Sequence, residues 1–188
     1  MSEPSHTPEG QPGPDDLKAS GIQLFQQGQT EQAIARFEAA ASAFEGAGNV
    51  TAAAEMWNNV GVAQRRLKRW EAAVSALEMA SARFQALGDK VGQGQTLANL
   101  GDVYSARRER TIAARLYSEA SALLAGAGDK ARQSQVLRAL SLEYLRQANF
   151  PQAMIIMEQS LAIRPRRGLG GWLFHGILKF ALRLSGIH

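Results

Sequence analysis

Apolar residues recur at three- and four-residue spacing through most of the chain. Leu97, Leu100, Val103 and Tyr104 do so over one stretch, and Ala113, Leu116, Tyr117, Ala120, Leu123 and Leu124 over the next. This spacing gathers them on one face of an α-helix. Short polar runs interrupt the pattern, Gln27-Gly28-Gln29-Thr30 early in the chain and Arg107-Arg108-Glu109-Arg110 later. They predict tight turns between neighbouring helices, with Thr30 placed to cap the helix it precedes and Pro151 suited to a first helical turn. The class expected is all-α.

The pattern repeats with a period of 40 residues. Gly21, Gly61 and Gly101 share one column, continued by Ser141. Ala33, Ala73, Ala113 and Ala153 share another, and Ala40, Ala80, Ala120 and Ser160 a third. Gly48, Gly88 and Gly128 recur at the same step, followed by Asn49, Asp89 and Asp129. Each glycine can take the left-handed conformation that ends a helix, and the Asn or Asp after it can cap the next one. The small residues belong where two helices of a hairpin cross, because a larger side chain there would push the backbones apart. Several columns in one register predict stacked helix hairpins, a repeat architecture.

With 188 residues, 45% of them hydrophobic, the chain has enough apolar material for one elongated array with tails. All six prolines lie in tails or at helix ends. There is no cysteine, so thiolate chemistry and disulfides are excluded, which fits a reducing cytoplasm. The first residues lack the basic and apolar regions of a secretory signal. Net charge is +4, unevenly spread. Residues 1–16 hold Glu3, Glu9, Asp15 and Asp16 and no Lys or Arg, whereas residues 164–188 hold Arg164, Arg166, Arg167, Lys179 and Arg183 and no acid. The middle is mixed in sign. The basic turns around Arg65–Arg69 and Arg107–Arg110 suit helix C-termini and come without aromatic stacking platforms, so nucleic acid is not an expected partner.

These columns carry a family resemblance. The tetratricopeptide pattern runs W-x2-L-G-x2-Y, then A-x3-F, then A, then P. The second unit shows Trp57, Val60, Gly61, Ala73, Leu77 and Ala80, and the third Leu97, Leu100, Gly101, Tyr104, Ala113, Tyr117 and Ala120. The fourth shows Leu137, Leu140, Tyr144, Ala153, Met157 and Pro165, and the first Leu17, Gly21, Leu24, Ala33, Phe37 and Ala40. The chain thus resembles tetratricopeptide repeat proteins over residues 16–165. Units of 40 residues with Asn two positions before the Gly resemble those of kinesin light chain and the Leu-Gly-Asn-repeat adaptors. The resemblance implies a right-handed superhelix of four hairpins, in units of about 16–54, 55–94, 95–134 and 135–165. It also implies that Asn59 and Asn99, which match the family's concave-face Asn, bond the backbone of an extended peptide. Ala19 and Ala139 hold that position in the other two units, leaving two rungs.

A stacked array of this kind has a concave groove lined by the first helix of each unit. The candidate groove residues are Asn58, Asn59, Val62, Arg66, Asn99, Asp102, Arg138, Leu142 and Arg146. Asn matches both ends of a peptide bond and Arg offers a fork to carboxylates. The expected partner is therefore a peptide or protein with some acidic character, bound by a non-catalytic adaptor or scaffold.

Flanking the array, residues 1–15 have the Pro-, Gly- and acid-rich composition of a disordered tail. After Pro165, residues 166–171 read as a glycine-rich linker and 172–187 as an amphipathic helix. His175, Lys179 and Arg183 form one stripe of that helix, and Trp172, Phe174, Phe180 and Leu184 belong to its broad apolar remainder. Three roles suit it: sealing the last hairpin or filling the groove, lying on an anionic membrane surface as a peripheral anchor, or pairing with another chain, including a second copy. About 16 residues of helix reach ~24 Å, short of the ~30 Å hydrocarbon core.

Nothing in the sequence signals catalysis or a cofactor. His6, His175 and His188 all lie in tails, so no histidine triad or metal site can form inside the array. No phosphate-binding G-x4-G-K-[ST] occurs, and Gly46-Ala-Gly48 and Gly126-Ala-Gly128 read as helix stops.

Overall fold

In a computed structural model, residues 12–163 are described. They form eight α-helices: α1 (Pro14–Gln26), α2 (Thr30–Gly46), α3 (Val50–Arg66), α4 (Trp70–Ala86), α5 (Lys90–Ala106), α6 (Arg110–Gly126), α7 (Lys130–Arg146) and α8 (Phe150–Ile163). Each of α2 to α7 has 17 residues. Two such helices and two three-residue turns make the 40-residue step, so the unit is lengthened in its helices and not in its loops. The hairpins open at Val50, Lys90 and Lys130, five residues ahead of the unit edges that the motif phase draws. Helix α1 starts at Pro14, so the last residues of the expected acidic tail are helical.

The turns follow from local chemistry. Gly48, Gly88 and Gly128 adopt φ of 73°, 69° and 75°, the left-handed region that glycine enters without a Cβ penalty. Asn49, Asp89 and Asp129 then accept bonds from the backbone N–H groups of Ala52, Gly92 and Arg132, satisfying donors that an opening helix leaves free. Thr30 departs from its expected capping role. It is the first residue of α2, almost fully buried, and its hydroxyl donates to the Gly28 carbonyl at 3.4 Å. Within the hairpins the left-handed position falls on Gly28, Lys68, Arg108 and Ala148, three of them side-chain-bearing.

Successive helices pack in order, each against the next. Across units, α3 touches α5 and α5 touches α7, whereas no comparable contact joins α4 to α6 or α6 to α8. The first helices thus lie on the inside of the curve. The core is a chain of apolar clusters along the array, from Phe37, Met56 and Val60 through Leu77, Leu100 and Val103 to Tyr117, Leu137 and Leu140. Close approach within hairpins depends on the glycine column, since a Cβ on Gly21, Gly61 or Gly101 would fall within 2.7 Å of Phe37, Leu77 or Tyr117. Ser141, the fourth member, is buried and donates its hydroxyl to the Ala153 carbonyl at 2.8 Å. Among the described residues no helix is long and apolar enough to cross a membrane.

Candidate concave groove

Two adjacent hollows mark the inner face. One, about 320 Å³, lies between α3 and α5 and is lined by Glu55, Asn59, Gln95 and Arg132 among others. The second, about 290 Å³, lies between α5 and α7 and is lined by Gln95, Asn99, Asp102, Arg132 and Gln135. Both are open and the size of a few side chains, a form suited to an extended chain more than to an enclosed small molecule. Gln95 and Arg132 line both.

The structure sorts the predicted groove residues into three groups. Asn59 and Asn99 sit on the inner face, four residues after Glu55 and Gln95, one helical turn along the same side. Asn59 makes no hydrogen bond with the described residues. Val62 and Leu142 are also accessible, Leu142 at 46%. Arg138 is exposed near the C-terminal end of the array and has no partner among the described residues.

The second group holds the units to one another. Asn58 is buried, and its Oδ1 accepts from Asn99 Nδ2 at 2.8 Å and from the Thr96 hydroxyl at 3.3 Å. Asn99 is thereby oriented, while its own carbonyl oxygen takes no bond from the described residues. Arg66 donates to the Phe25 carbonyl at 3.1 Å and lies 5.0 Å from the centre of the Phe25 ring, fixed to the preceding hairpin. Arg146 donates to the Ser105 hydroxyl at 3.1 Å and pairs with the fully buried Glu143 at 2.5 Å.

Asp102 belongs to a third arrangement that the sequence did not suggest. It accepts the Tyr117 hydroxyl at 2.7 Å and faces Arg65 at 3.2 Å, joining α3, α5 and α6. Burial, and next the Asp102 charge, push the Tyr117 phenol far above its ordinary value, so it stays protonated and donating. The Asp129 carboxyl is held below its usual range by the Arg132 backbone N–H and then the Arg132 side chain, which leaves the Arg132 charge matched at the hollow's edge. Glu55 is matched by Lys18 at 2.8 Å. The middle of the groove therefore presents amides, with Glu55, Asp102 and Arg132 in ion pairs and the Asp89 carboxylate held by backbone N–H groups, while Arg138 near the end has no partner among the described residues. Glu55, Gln95, Arg132 and Gln135 were missed from sequence. The signal was there, because Glu55, Gln95 and Gln135 follow the 40-residue step.

The tetratricopeptide repeat family profile matches residues 52–125, which spans α3 to α6 and the amide-bearing part of the groove. Residues 52–125 are tetratricopeptide repeats, within an all-α array of helix hairpins of that type. The fold is similar to BtubC (BKLC) from P. vanneervenii, with TM-score 0.71 at 20% identity, over 87% of this chain and 72% of that one. It is also similar to MamA, with TM-score 0.63 at 18% identity, over 81% and 78%. Aspartyl phosphate phosphatase F from Bacillus subtilis superposes with TM-score 0.77 at 14% identity, over 80% of this chain. This chain spans only 39% of the phosphatase, and at such identity the likeness is one of fold, not of the activity in that protein's name. No curated protein matches in sequence.

The repeat fold is typically a protein-interaction module and usually non-catalytic. Among the described residues no group of three His, Cys, Asp or Glu side chains stands close enough to hold a metal ion. The predicted membrane or interface residues Trp172, Phe174, Lys179, Phe180, Arg183 and Leu184 lie outside the described residues.

Proposed function

We propose that this tetratricopeptide repeat protein is a non-catalytic cytoplasmic adaptor that holds an extended segment of a partner protein along the inner faces of α3, α5 and α7. The observation that carries the reading is the pair Asn59 and Asn99. Asn59 makes no hydrogen bond with the described residues, and Asn99 is oriented by Asn58 with its carbonyl oxygen taking no bond from them. Each can offer a donor or an acceptor to a peptide backbone, and Gln95 and Gln135 flank them with the same chemistry. Because Lys18, Arg65 and Arg132 have acidic partners, charge selection falls to Arg138, which suits a carboxylate at one end of the bound segment.

The test is selection of displayed peptides on the full-length protein, followed by affinity measurement on Asn59→Ala with Asn99→Ala. Loss of two backbone contacts is expected to weaken binding by about tenfold to a hundredfold. Unchanged affinity for every selected peptide would sink the groove reading. Arg138→Ala is expected to weaken acidic peptides more than neutral ones.

A further inference from the structure

The turns within the four hairpins lie side by side along one edge of the array. Between the first and second, Arg66 reaches the Phe25 carbonyl at 3.1 Å and Arg69 pairs with Glu31 at 3.1 Å. Between the second and third, Arg107 pairs with Glu71 at 3.4 Å. Between the third and fourth, Arg110 donates to the Arg146 carbonyl and Gln147 to that of Arg110. The charge on this edge is one-sided. Residues 24–31, 64–71, 104–111 and 144–151, which span these turns, hold eight Lys and Arg against three Glu. Residues 44–51, 84–91 and 124–131, which span the turns between units at the opposite edge, hold two Lys against three acids.

Two of the eight cations stand where a side chain costs stability. Lys68 and Arg108 take the left-handed conformation, at φ 58° and 65°, in the position that Gly28 fills in the first unit. Both are exposed, and neither side chain makes an ion pair or a hydrogen bond with the described residues. Nothing in the described fold rewards them. Glycine would relax the backbone, and each charge adds to the repulsion among its neighbours. A strained residue with no partner inside the fold points to a role outside it. In the fourth turn Ala148 takes this position, and exposed apolar side chains stand beside it, Leu145 at 41% and Phe150 at 60%. The edge thus runs from long, free cations to exposed Leu and Phe.

We propose that this edge docks the protein on an anionic lipid surface, with Lys68 and Arg108 among the headgroups and Leu145 and Phe150 at the boundary with the acyl chains. Cations on long stems, with no partner to fix them, form a diffuse positive strip that matches a fluid sheet of negative charge better than a fixed set of carboxylates. Exposed Leu and Phe at the same edge gain from an acyl boundary. Next to the cations, the Arg66 guanidinium lies 5.0 Å from the centre of the Phe25 ring and that of Arg107 5.7 Å from the centre of the Tyr104 ring, so no bare platform stands among them for bases to stack on. The edge is made of helix ends, whereas the groove is the side of α3, α5 and α7. Lipid and a groove partner can therefore be engaged together, which would hold that partner at the membrane. That corollary rests on the adaptor reading; the docking itself does not.

The test is co-sedimentation of the full-length protein with vesicles of phosphatidylcholine and phosphatidylserine, beside vesicles of phosphatidylcholine alone, at ~0.1 M salt. Lys68→Gly with Arg108→Gly removes both free cations and relieves two left-handed positions, so its loss of binding is not a loss of folding. It is expected to weaken binding to the anionic vesicles by roughly twentyfold to thirtyfold, about fivefold for each cation at the surface. Lys90→Gln with Lys130→Gln removes the same charge from the opposite edge and is expected to change binding by less than about twofold. Phe150→Ser is expected to weaken binding by about fivefold with no change in net charge. No binding of the native chain to anionic vesicles, equal binding to both kinds of vesicle, or equal losses in the two double variants would each overturn the proposal. So would an oligonucleotide that binds more tightly than the vesicles at the same salt and is released by Lys68→Gly with Arg108→Gly, which would assign the edge to nucleic-acid phosphate. None of these readouts involves a groove ligand, so failure here leaves the adaptor reading standing.

Discussion

Replacing Gly61 by Ala sets two opposing effects against each other, and the structure decides between them. Gly61 lies inside α3, where Ala is favoured over Gly by about 0.8–1.0 kcal/mol through backbone entropy. The added Cβ, however, would lie 2.4 Å from Leu77 Cγ, 2.8 Å from its Cδ2 and 3.2 Å from the Ala73 carbonyl oxygen. Carbon atoms rest about 3.5–4.0 Å apart, so Cγ must move by more than 1 Å. Cγ is the branch point of a fully buried side chain, and the nearby carbonyl belongs to the helix backbone, so neither yields without moving α4. Overpacking of this kind costs about 1–3 kcal/mol, more than the propensity gain. A net loss of about 1–2 kcal/mol is expected in urea unfolding followed by far-UV circular dichroism, with midpoints compared at unchanged slope because repeat arrays can lose cooperativity. Gly46→Ala is the control: nothing lies within 4 Å of its Cβ, so it should be neutral or slightly stabilising. The fourth unit points to a rescue, since Ser141 already carries a Cβ in this column with the unbranched Met157 in the column of Leu77. Gly61→Ala with Leu77→Met should recover much of the loss. If Gly61→Ala is as stable as Gly46→Ala, close helix approach at the glycine column is not what holds these hairpins.

Other parts of the array give equally direct tests. Lys68 and Arg108 occupy left-handed turn positions at φ 58° and 65°, where unit one has Gly28, so Lys68→Gly and Arg108→Gly should each stabilise by about 0.5–1 kcal/mol in the same urea assay. Glu143 is a buried carboxylate in a column held by Ala63 and Val103 in the two units before it and by the exposed Gln23 in the first. Glu143→Val should be neutral or stabilising by up to about 2 kcal/mol, while Arg146→Ala should cost about 1–2 kcal/mol in the native background and almost nothing beside Glu143→Val, as a double-mutant cycle will read. The Asp129 carboxyl titrates below its unfolded value of 3.8, so it contributes stability above about pH 4 that is lost as the pH falls through its folded value. The stability difference between the native chain and Asp129→Asn should therefore shrink on acidification, and a difference constant with pH would contradict that origin.

What the sequence made legible depended on how many units repeated a feature. The hairpins, the inter-unit glycines and the Asn and Asp caps each recur three or four times, and a recurring column separates a structural requirement from local accident. Thr30 occurs once, and its reading as a cap failed because propensity cannot tell the residue before a helix from the first one in it. The groove was legible only to the helix face. Asn58, Asn59 and Asn99 look alike in sequence, yet one is buried against the next unit, one has no bond among the described residues and one is oriented by the first. That division follows from a 100° step per residue, which turns Asn58 toward α5 while Asn59 stays on the inner face. Arg66 and Arg146, which suggested an acidic ligand, answer instead to partners about one unit away in sequence, Phe25 and Ser105. Interactions offset by one period are invisible to any reading that takes a unit alone. They become visible once the first helix of one unit is laid over the first helix of the unit before it. Aligning the second helices in the same way shows Met157 and Leu161 of α8 only partly buried, where Phe37, Leu77 and Tyr117 in the one column and Ala41, Ser81 and Ser121 in the other are buried.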